Sequence, residues 1–136
     1  MQLPMNKKKI LLIEDNETGG LLISSLFEER EEIELHIVTN GKKALEFVYK
    51  NTLSLILMDI MLPDINGLEI LRQLKEDEKT KDIPVIMVSA FDKKEFIAAA
   101  KETGAIDFIT KPVGINHLYE RVLKVLLDDK TEEEDK

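Results

Sequence analysis

The stretch LILMDIMLPDINGLEIL, residues 55–71, places a lone acid between two apolar runs. Four apolar residues precede Asp59 and three follow it, so the acid ends a strand that is otherwise predicted to be buried. Pro63 and Gly67 then predict a turn, and leucines at helical spacing follow it. A buried carboxylate is unfavourable unless other groups compensate its charge. The stretch therefore predicts a strand, a turn and a helix, with Asp59 requiring partners from elsewhere in the chain.

Outward from this stretch, short apolar runs alternate with amphipathic stretches along the whole chain. The predicted strands are residues 9–15, 34–39, 53–59, 83–90 and 105–110, and the predicted helices are residues 17–30, 41–51, 67–77, 93–104 and 115–129. Strict alternation of strands and helices is typical of a parallel sheet with helices on both faces. Because crossover connections are right-handed, the strand order must reverse somewhere, and ligands bind beside that reversal at the carboxyl ends of the strands.

Composition limits the classes of function that are open to the chain. The 136 residues fit one domain, which we predict to span residues 1–127, followed by an acidic, flexible tail at residues 128–136. The net charge of -8 argues against direct binding to nucleic acid. The chain has no Cys, and its apolar runs are too short to cross a membrane or to form a signal peptide. We therefore expect a cytoplasmic protein.

Polar residues stand at the carboxyl ends of four of the five predicted strands. Glu14 and Asp15 end the first strand, Asp59 the third and Ser89 the fourth, and Lys111 follows the fifth. At about 4 Å and an effective dielectric constant near 20, each pair of carboxylates would repel by roughly 4 kcal/mol. The cluster therefore requires a cation, and oxygen ligands without Cys favour Mg²⁺ over zinc.

Such a site is suited to receive a phosphoryl group. Mg²⁺ binds one or two carboxylates together with phosphate oxygens. A carboxylate can itself act as the nucleophile and form an aspartyl phosphate, which would be the role of Asp59. Lys111 would neutralise charge on the transferred group, and the Ser89 hydroxyl would donate to one of its oxygens.

The sequence resembles the receiver domain of two-component response regulators over about residues 7–127. The resemblance is carried by LLIEDN (residues 11–16), LILMDIMLPDINGLEIL (55–71), PVIMVSA (84–90) and GAIDFITKP (104–112). It implies a flavodoxin-like (βα)5 fold, with a five-stranded parallel sheet in the order 2-1-3-4-5. Glu14 stands where Asp is commoner in the family and Ser89 where Thr is commoner, and both keep the functional group.

The resemblance also implies a role for each residue of the phosphoacceptor site. Asp59 would accept a phosphoryl group from a phosphohistidine on a histidine kinase or a histidine phosphotransfer protein. Mg²⁺ (or Mn²⁺) would be bound by Asp15, by Asp59, by the backbone carbonyl of Met61 and, through water, by Glu14. The chain would then be no enzyme in the usual sense but a signalling switch that promotes its own phosphorylation and dephosphorylation.

The switch itself is expected on the fourth and fifth strands. By resemblance, Ser89 is the switch hydroxyl, Phe108 the switch aromatic and Lys111 the partner of the phosphate, and the bond between Lys111 and Pro112 is cis. Phosphorylation would change the face formed by helix 4, strand 5 and helix 5. A downstream protein would bind that face, and a homodimer that forms on phosphorylation is a further expectation. Thr18, near the start of helix 1, marks the expected contact with the kinase, together with Gly19 and Leu22.

Two alternatives remain open at the sequence level. The chain could be the receiver segment of a longer hybrid histidine kinase or multidomain regulator, although Met1 and the polar C-terminal run favour a complete chain. A phosphatase-like enzyme with an aspartyl nucleophile is the second alternative. The main family of that kind has its nucleophile in a D-x-D arrangement after strand 1, whereas strand 1 here ends in Glu14 and Asp15 and no cap segment is present.

Overall fold

The computed structural model describes residues 7–134 and confirms the predicted alternation of strands and helices. The elements are β1 (Lys8–Ile13), α1 (Glu17–Ser25), β2 (Ile33–Val38), α2 (Gly41–Lys50), β3 (Leu55–Met58), α3 (Gly67–Glu76), β4 (Val85–Ser89), α4 (Lys94–Thr103), β5 (Asp107–Thr110) and α5 (Ile115–Glu134). All four strand pairings are parallel, and the order is β2-β1-β3-β4-β5. This is the flavodoxin-like (βα)5 fold, in which the order reverses at β1 and opens a site beside β1 and β3.

The sheet is covered on both faces, which explains why its central strands are continuous apolar runs. Alternate residues of β1 illustrate the division: Leu11 and Ile13 belong to one apolar cluster, and Ile10 and Leu12 belong to another. The first cluster includes residues of α2, α3 and α4, and the second includes residues of α1 and α5. Every residue of β3 is buried, so this strand lies at the centre of the core.

Two helices differ by five residues in length from the sequence prediction, and the other three by one or two. Helix α1 ends at Ser25 rather than at residue 30, because the chain tightens there into bonds between residues three apart, such as Phe27 N to Ser24 O at 3.1 Å. This turn buries Phe27, whose ring stacks on Tyr119 of α5 with 5.4 Å between centroids. Helix α5 continues to Glu134, into the predicted tail, because no Gly or Pro interrupts it after Ile115. Residues 1–6 of the predicted domain and 135–136 of the tail lie outside the described part.

Asparagine side chains begin the first three helices. Asn16, Asn40 and Asn66 each accept a hydrogen bond from a backbone N–H in the first turn of α1, α2 and α3, respectively. The sequence also predicts that Asp92 caps α4, because Asp is a preferred N-cap residue, and this is wrong. Lys93 is the N-cap residue and makes no side-chain cap bond, which leaves Asp92 one position too early to reach the free N–H groups. None of the helices in residues 7–134 combines the length and the apolar composition that a membrane-spanning helix requires.

Candidate functional site

Asp59 directly follows β3 at the carboxyl edge of the sheet and is only 6% exposed. Its backbone N–H donates to the carbonyl of Ile13 in β1 at 3.2 Å. On its other side the chain returns so closely that a Cβ added to Gly67 would lie 2.1 Å from the Asp59 carbonyl oxygen. The position of the acid thus depends on a glycine eight residues later, because no larger residue allows this approach.

The Asp59 carboxylate is held by donors from three different parts of the chain. Its Oδ1 accepts hydrogen bonds from the Ser89 hydroxyl at 2.6 Å and from the backbone N–H of Met61 at 3.1 Å. Its Oδ2 accepts one from the Lys111 ammonium at 2.8 Å. A charged donor and two neutral donors offset the unfavourable burial of the carboxylate. These contacts supply the partners that the sequence requires for Asp59.

Glu14 and Asp15 follow β1 but have different environments. Glu14 is 2% exposed, and its two oxygens accept hydrogen bonds from the Lys111 ammonium at 2.5 Å and from the backbone N–H of Asn16 at 3.1 Å. Asp15 is exposed. The structure therefore joins Glu14 and Asp59 through one lysine, whereas Asp15 remains at the surface beside them.

Lys111 is the centre of this arrangement. Burial alone would lower the pKa of its ammonium group, but the hydrogen bonds and charges of Asp59 and Glu14 outweigh that effect and raise the pKa above its ordinary value. The lysine therefore stays charged throughout the neutral pH range. Its backbone N–H donates to the Ser89 carbonyl at 3.0 Å, which ties the end of β5 to the end of β4, and the peptide bond between Lys111 and Pro112 is cis.

Ser89 is fully buried between the phosphoacceptor candidate and the loop after β4. Its hydroxyl donates to Asp59 and accepts from the backbone N–H of Phe91 at 3.2 Å. Phe108 lies opposite Met87 in the register of β4 and β5, and its half-buried ring packs against the cluster that contains α3 and α4. The structure thus brings Ser89 into contact with Asp59 and places Phe108 on the adjacent strand.

The expected convergence of three carboxylates takes a different form. Within residues 7–134, no group of three or more His, Cys, Asp or Glu side chains is arranged to hold a metal ion. The Lys111 ammonium instead lies between Glu14 and Asp59 and compensates their charge. The donor set still suits Mg²⁺ in kind, because the carboxylates of Asp15 and Asp59 and the Met61 carbonyl supply only oxygen ligands.

Two further acids have partners that the sequence did not reveal. Asp64 lies in the predicted turn between Pro63 and Gly67. It accepts backbone N–H bonds from Gly41 at 2.7 Å, Lys42 at 2.9 Å and Ile65 at 2.9 Å, and the first two of these bonds are the main cause of its lowered pKa. It therefore joins the loop after β3 to the start of α2. Asp107, which had no predicted role, pairs with Arg121 of α5. Both contacts join distant segments, so no local pattern could have signalled them.

A cavity of about 330 Å³ opens beside Lys111, between α1 and the loop after β5. Its lining includes Glu14, Asn16, Gly19, Leu22 and Lys111. Leu22 is 52% exposed at this position and is therefore accessible to a partner. Gly19 and Leu22, two of the three residues expected to meet a kinase, thus lie next to the charged site.

Comparison with known proteins agrees with this fold and site. The profile of the response regulator receiver domain matches residues 10–123. Response regulator ArlR of Staphylococcus saprophyticus subsp. saprophyticus is 39% identical over 118 residues, which cover 87% of this chain and 52% of ArlR. The polar-differentiation response regulator DivK of Brucella anthropi is 35% identical over 121 residues, which cover 89% of this chain and 98% of DivK. The chain thus spans about half the length of ArlR and nearly all of DivK.

A solved structure supports the same assignment. The receiver domain of the Francisella response regulator 1452 superposes with a TM-score of 0.82 at 29% sequence identity, covering 90% of this chain and 99% of that domain. The family profile covers the segment from β1 into α5, which contains Glu14, Asp59, Ser89 and Lys111. This chain therefore belongs to the response regulator receiver domains, which act in two-component signalling.

Proposed function

We propose that Asp59 accepts a phosphoryl group from a phosphohistidine on a histidine kinase or a histidine phosphotransfer protein. The main support for the proposal is the environment of the Asp59 carboxylate. The carboxylate is buried, and it accepts hydrogen bonds from two side chains that can change conformation, Ser89 at 2.6 Å and Lys111 at 2.8 Å. The Ser89 hydroxyl and the Lys111 ammonium could therefore move and donate to the oxygens of a phosphoryl group on Asp59.

The proposed transfer moves one phosphoryl group between two side chains. An Asp59 oxygen attacks phosphorus, the bond from phosphorus to the histidine nitrogen breaks, and that nitrogen keeps the bonding electrons and takes up a proton. Lys111 compensates the charge that spreads over the phosphoryl oxygens, and the Ser89 hydroxyl donates to one of them. The same groups would then stabilise the aspartyl phosphate until water hydrolyses it, so the chain would be a switch rather than a conventional enzyme.

A divalent cation, Mg²⁺ or Mn²⁺, is part of the proposal. The cation would be held by Asp15, by Asp59 and by the Met61 carbonyl. Glu14 already binds the Lys111 ammonium, so it would contribute only through water. When bound, the cation would neutralise phosphoryl oxygens. The exposed position of Asp15 supports this role, because a carboxylate without a buried partner remains available to an ion from solvent.

The partners follow from the surfaces around the site. We propose that the phosphodonor protein contacts Thr18, Gly19 and the exposed Leu22, beside the cavity that reaches Lys111. The surface that changes on phosphorylation would be the face of α4, β5 and α5, to which Phe108 belongs. Its partner would be another protein, or a second copy of this chain after phosphorylation, and the net charge of -8 argues against nucleic acid. We further propose a cytoplasmic location, where such kinases present their phosphohistidine.

Whether the chain works alone or within a longer protein is a separate question. The match to nearly the whole length of DivK supports a stand-alone regulator, and the match to half of ArlR is what a segment of a multidomain regulator would produce. The intact mass of the protein isolated from its native source would decide, since a segment would belong to a much heavier chain.

Phosphorylation by a small donor tests the proposal. Incubation with acetyl phosphate and Mg²⁺ should add a single phosphate that is stable in acid and labile in base, and removal of Mg²⁺ with EDTA should prevent its addition. Asp59→Ala should take up none. Asp92→Ala, which removes an exposed carboxylate beyond β4, is the matched control and should be phosphorylated like the wild type. Uptake by Asp59→Ala at the wild-type level would refute the assignment.

A further inference from the structure

Strand β5 presents its side chains to two different layers of the protein. Ile109 is buried in the cluster that contains Leu118 and Val122 of α5, whereas Phe108 packs against the opposite cluster, which contains Ala100 of α4. Because side chains alternate along a strand, Asp107 lies on the same face as Ile109 and so faces α5. One short strand therefore contacts both helices of the proposed output face.

The Asp107 carboxylate contacts both sides of this junction at once. Its Oδ1 accepts a hydrogen bond from the backbone N–H of Phe108 at 2.8 Å, and its Oδ2 pairs with the Arg121 guanidinium of α5. The side chains of Asp107 and Arg121 are 20% and 39% exposed, so the pair is partly shielded from water. One carboxylate thus joins the backbone of the switch aromatic to α5.

The other end of the same strand leads into the phosphoacceptor site. Lys111 lies four positions after Asp107, about 13 Å of extended chain. The Lys111 ammonium contacts Asp59, and its backbone N–H contacts the Ser89 carbonyl. Strand β5 therefore connects Asp107, which contacts α5, with Lys111, which contacts Asp59.

We propose that Asp107 is a positioning residue that couples the phosphoacceptor site to helix α5 through Arg121. The inference rests on the proposed function, because it assumes that Asp59 is phosphorylated. A shift of Lys111 or Phe108 moves β5, and the Asp107–Arg121 pair carries that shift to α5. Without the pair, β5 and α5 meet through the apolar cluster that contains Ile109 and Val122, whose contacts are non-directional and permit sliding.

Amide NMR of the whole chain, with and without Mg²⁺ and beryllofluoride, tests the coupling. Beryllofluoride is the phosphoryl mimic that is added, and Asp59 is its expected site. In the wild type, amide signals should shift both around Ser89 and along residues 118–126 of α5. In Asp107→Asn and in Arg121→Gln, the shifts around Ser89 should persist, while those in α5 should fall below half of the wild-type values. The double variant should lose no more of the amide shifts in α5 than either single variant does.

Two further variants separate a coupling role from a general loss of structure. Arg121→Lys keeps the positive charge and should retain most of the α5 shifts. Arg72→Gln removes an arginine that pairs with Glu69 and Glu76 on α3, away from β5, and should behave like the wild type. Full α5 shifts in Asp107→Asn would overturn the inference, and so would the loss of shifts around Ser89 in the same variant. If the wild type shows no shift around Ser89, the proposed function itself fails, and the coupling fails with it.

Discussion

Asp59 and Asp64 belong to the same loop after β3, yet different kinds of donor hold them. Asp59 is buried and is held mainly by side chains, the Ser89 hydroxyl and the Lys111 ammonium. Asp64 is exposed and is held by the backbone N–H groups of Gly41, Lys42 and Ile65. Backbone N–H groups at the start of a helix are fixed in position. Side-chain donors can change conformation and could bind a phosphoryl group attached to Asp59. The kind of donor, together with burial, therefore distinguishes the proposed phosphoacceptor Asp59 from Asp64.

The largest effect is expected from moving the backbone that carries Asp59. Gly67→Ala would place a methyl group 2.1 Å from the Asp59 carbonyl oxygen, so the loop must shift. We expect a loss of about 3 kcal/mol in the free energy of unfolding, at the upper end for an overpacked site, and failure of phosphorylation. Urea unfolding and phosphate uptake from acetyl phosphate measure the two effects.

Gly20→Ala is the matched control for this substitution. Its Cβ would meet Ile37 at ordinary contact distances of 3.6 Å, and alanine favours a helix by about 1 kcal/mol over glycine. This variant should therefore be at least as stable as the wild type and should take up phosphate normally. A Gly67→Ala protein that does the same would show that the close approach is unimportant for the position of Asp59.

Removal of the charged donor of Asp59 should have the next largest effect. Lys111→Met keeps the length of the side chain but loses the ammonium group that contacts both Asp59 and Glu14. We expect the rate of phosphorylation by acetyl phosphate to fall on the order of 100-fold, as for loss of an electrostatic stabiliser in a preorganised site. A rate within a factor of two of the wild type would contradict the role of Lys111.

The raised pKa of the Lys111 ammonium allows a second measurement on this residue. A lysine whose pKa is raised in the folded protein contributes stability that is complete below its ordinary pKa and is lost as the pH rises through the higher folded value. The stability difference between wild type and Lys111→Met should therefore be constant across neutral pH and should shrink only in strongly alkaline solution. Urea unfolding at a series of pH values checks this.

The neutral donor of Asp59 should matter less than the charged one. Ser89→Ala removes the hydroxyl at 2.6 Å but leaves the bonds from Lys111 and Met61. Loss of one hydrogen bond to a charged group corresponds to about 1.5 kcal/mol, so phosphorylation should slow by roughly tenfold. Ser89→Thr keeps the hydroxyl and should retain the wild-type rate. A drop as large as that of Lys111→Met would show that charge is not what distinguishes the two donors.

The smallest effect on phosphorylation is expected at Asp64. Asp64→Ala removes the acceptor of the N–H groups of Gly41 and Lys42, so the protein should be less stable at neutral pH but should take up phosphate at the wild-type rate. Because these bonds lower the pKa of Asp64, its contribution is present above the ordinary value of 3.8 and is lost as the pH falls through the lower folded value. Wild type and variant should therefore converge in stability in strong acid, as measured by urea unfolding. Impaired phosphorylation in Asp64→Ala would break the contrast with Asp59.

The sequence by itself determined the fold, the order of elements and most of the site. Apolar runs and helical spacing are local patterns, and they report which segments are buried and in what form. Asp59 at the end of the buried strand 55–58 was recognisable because a carboxylate there is unfavourable without partners. The motifs around Asp59, Ser89 and Lys111 then indicated the receiver family before any contact was known.

Only the tertiary structure decided which side chains meet. Both faces of β1 are buried, so alternation along the strand could not tell that Glu14 faces Lys111 while Asp15 remains exposed. The bond from Lys111 to Glu14 joins residues 97 positions apart, and its distance depends on the packing of the whole sheet. The same holds for Asp107 and Arg121, which meet only when α5 lies against β5. Local patterns report burial, whereas the pairing of charges requires the three-dimensional distance between them.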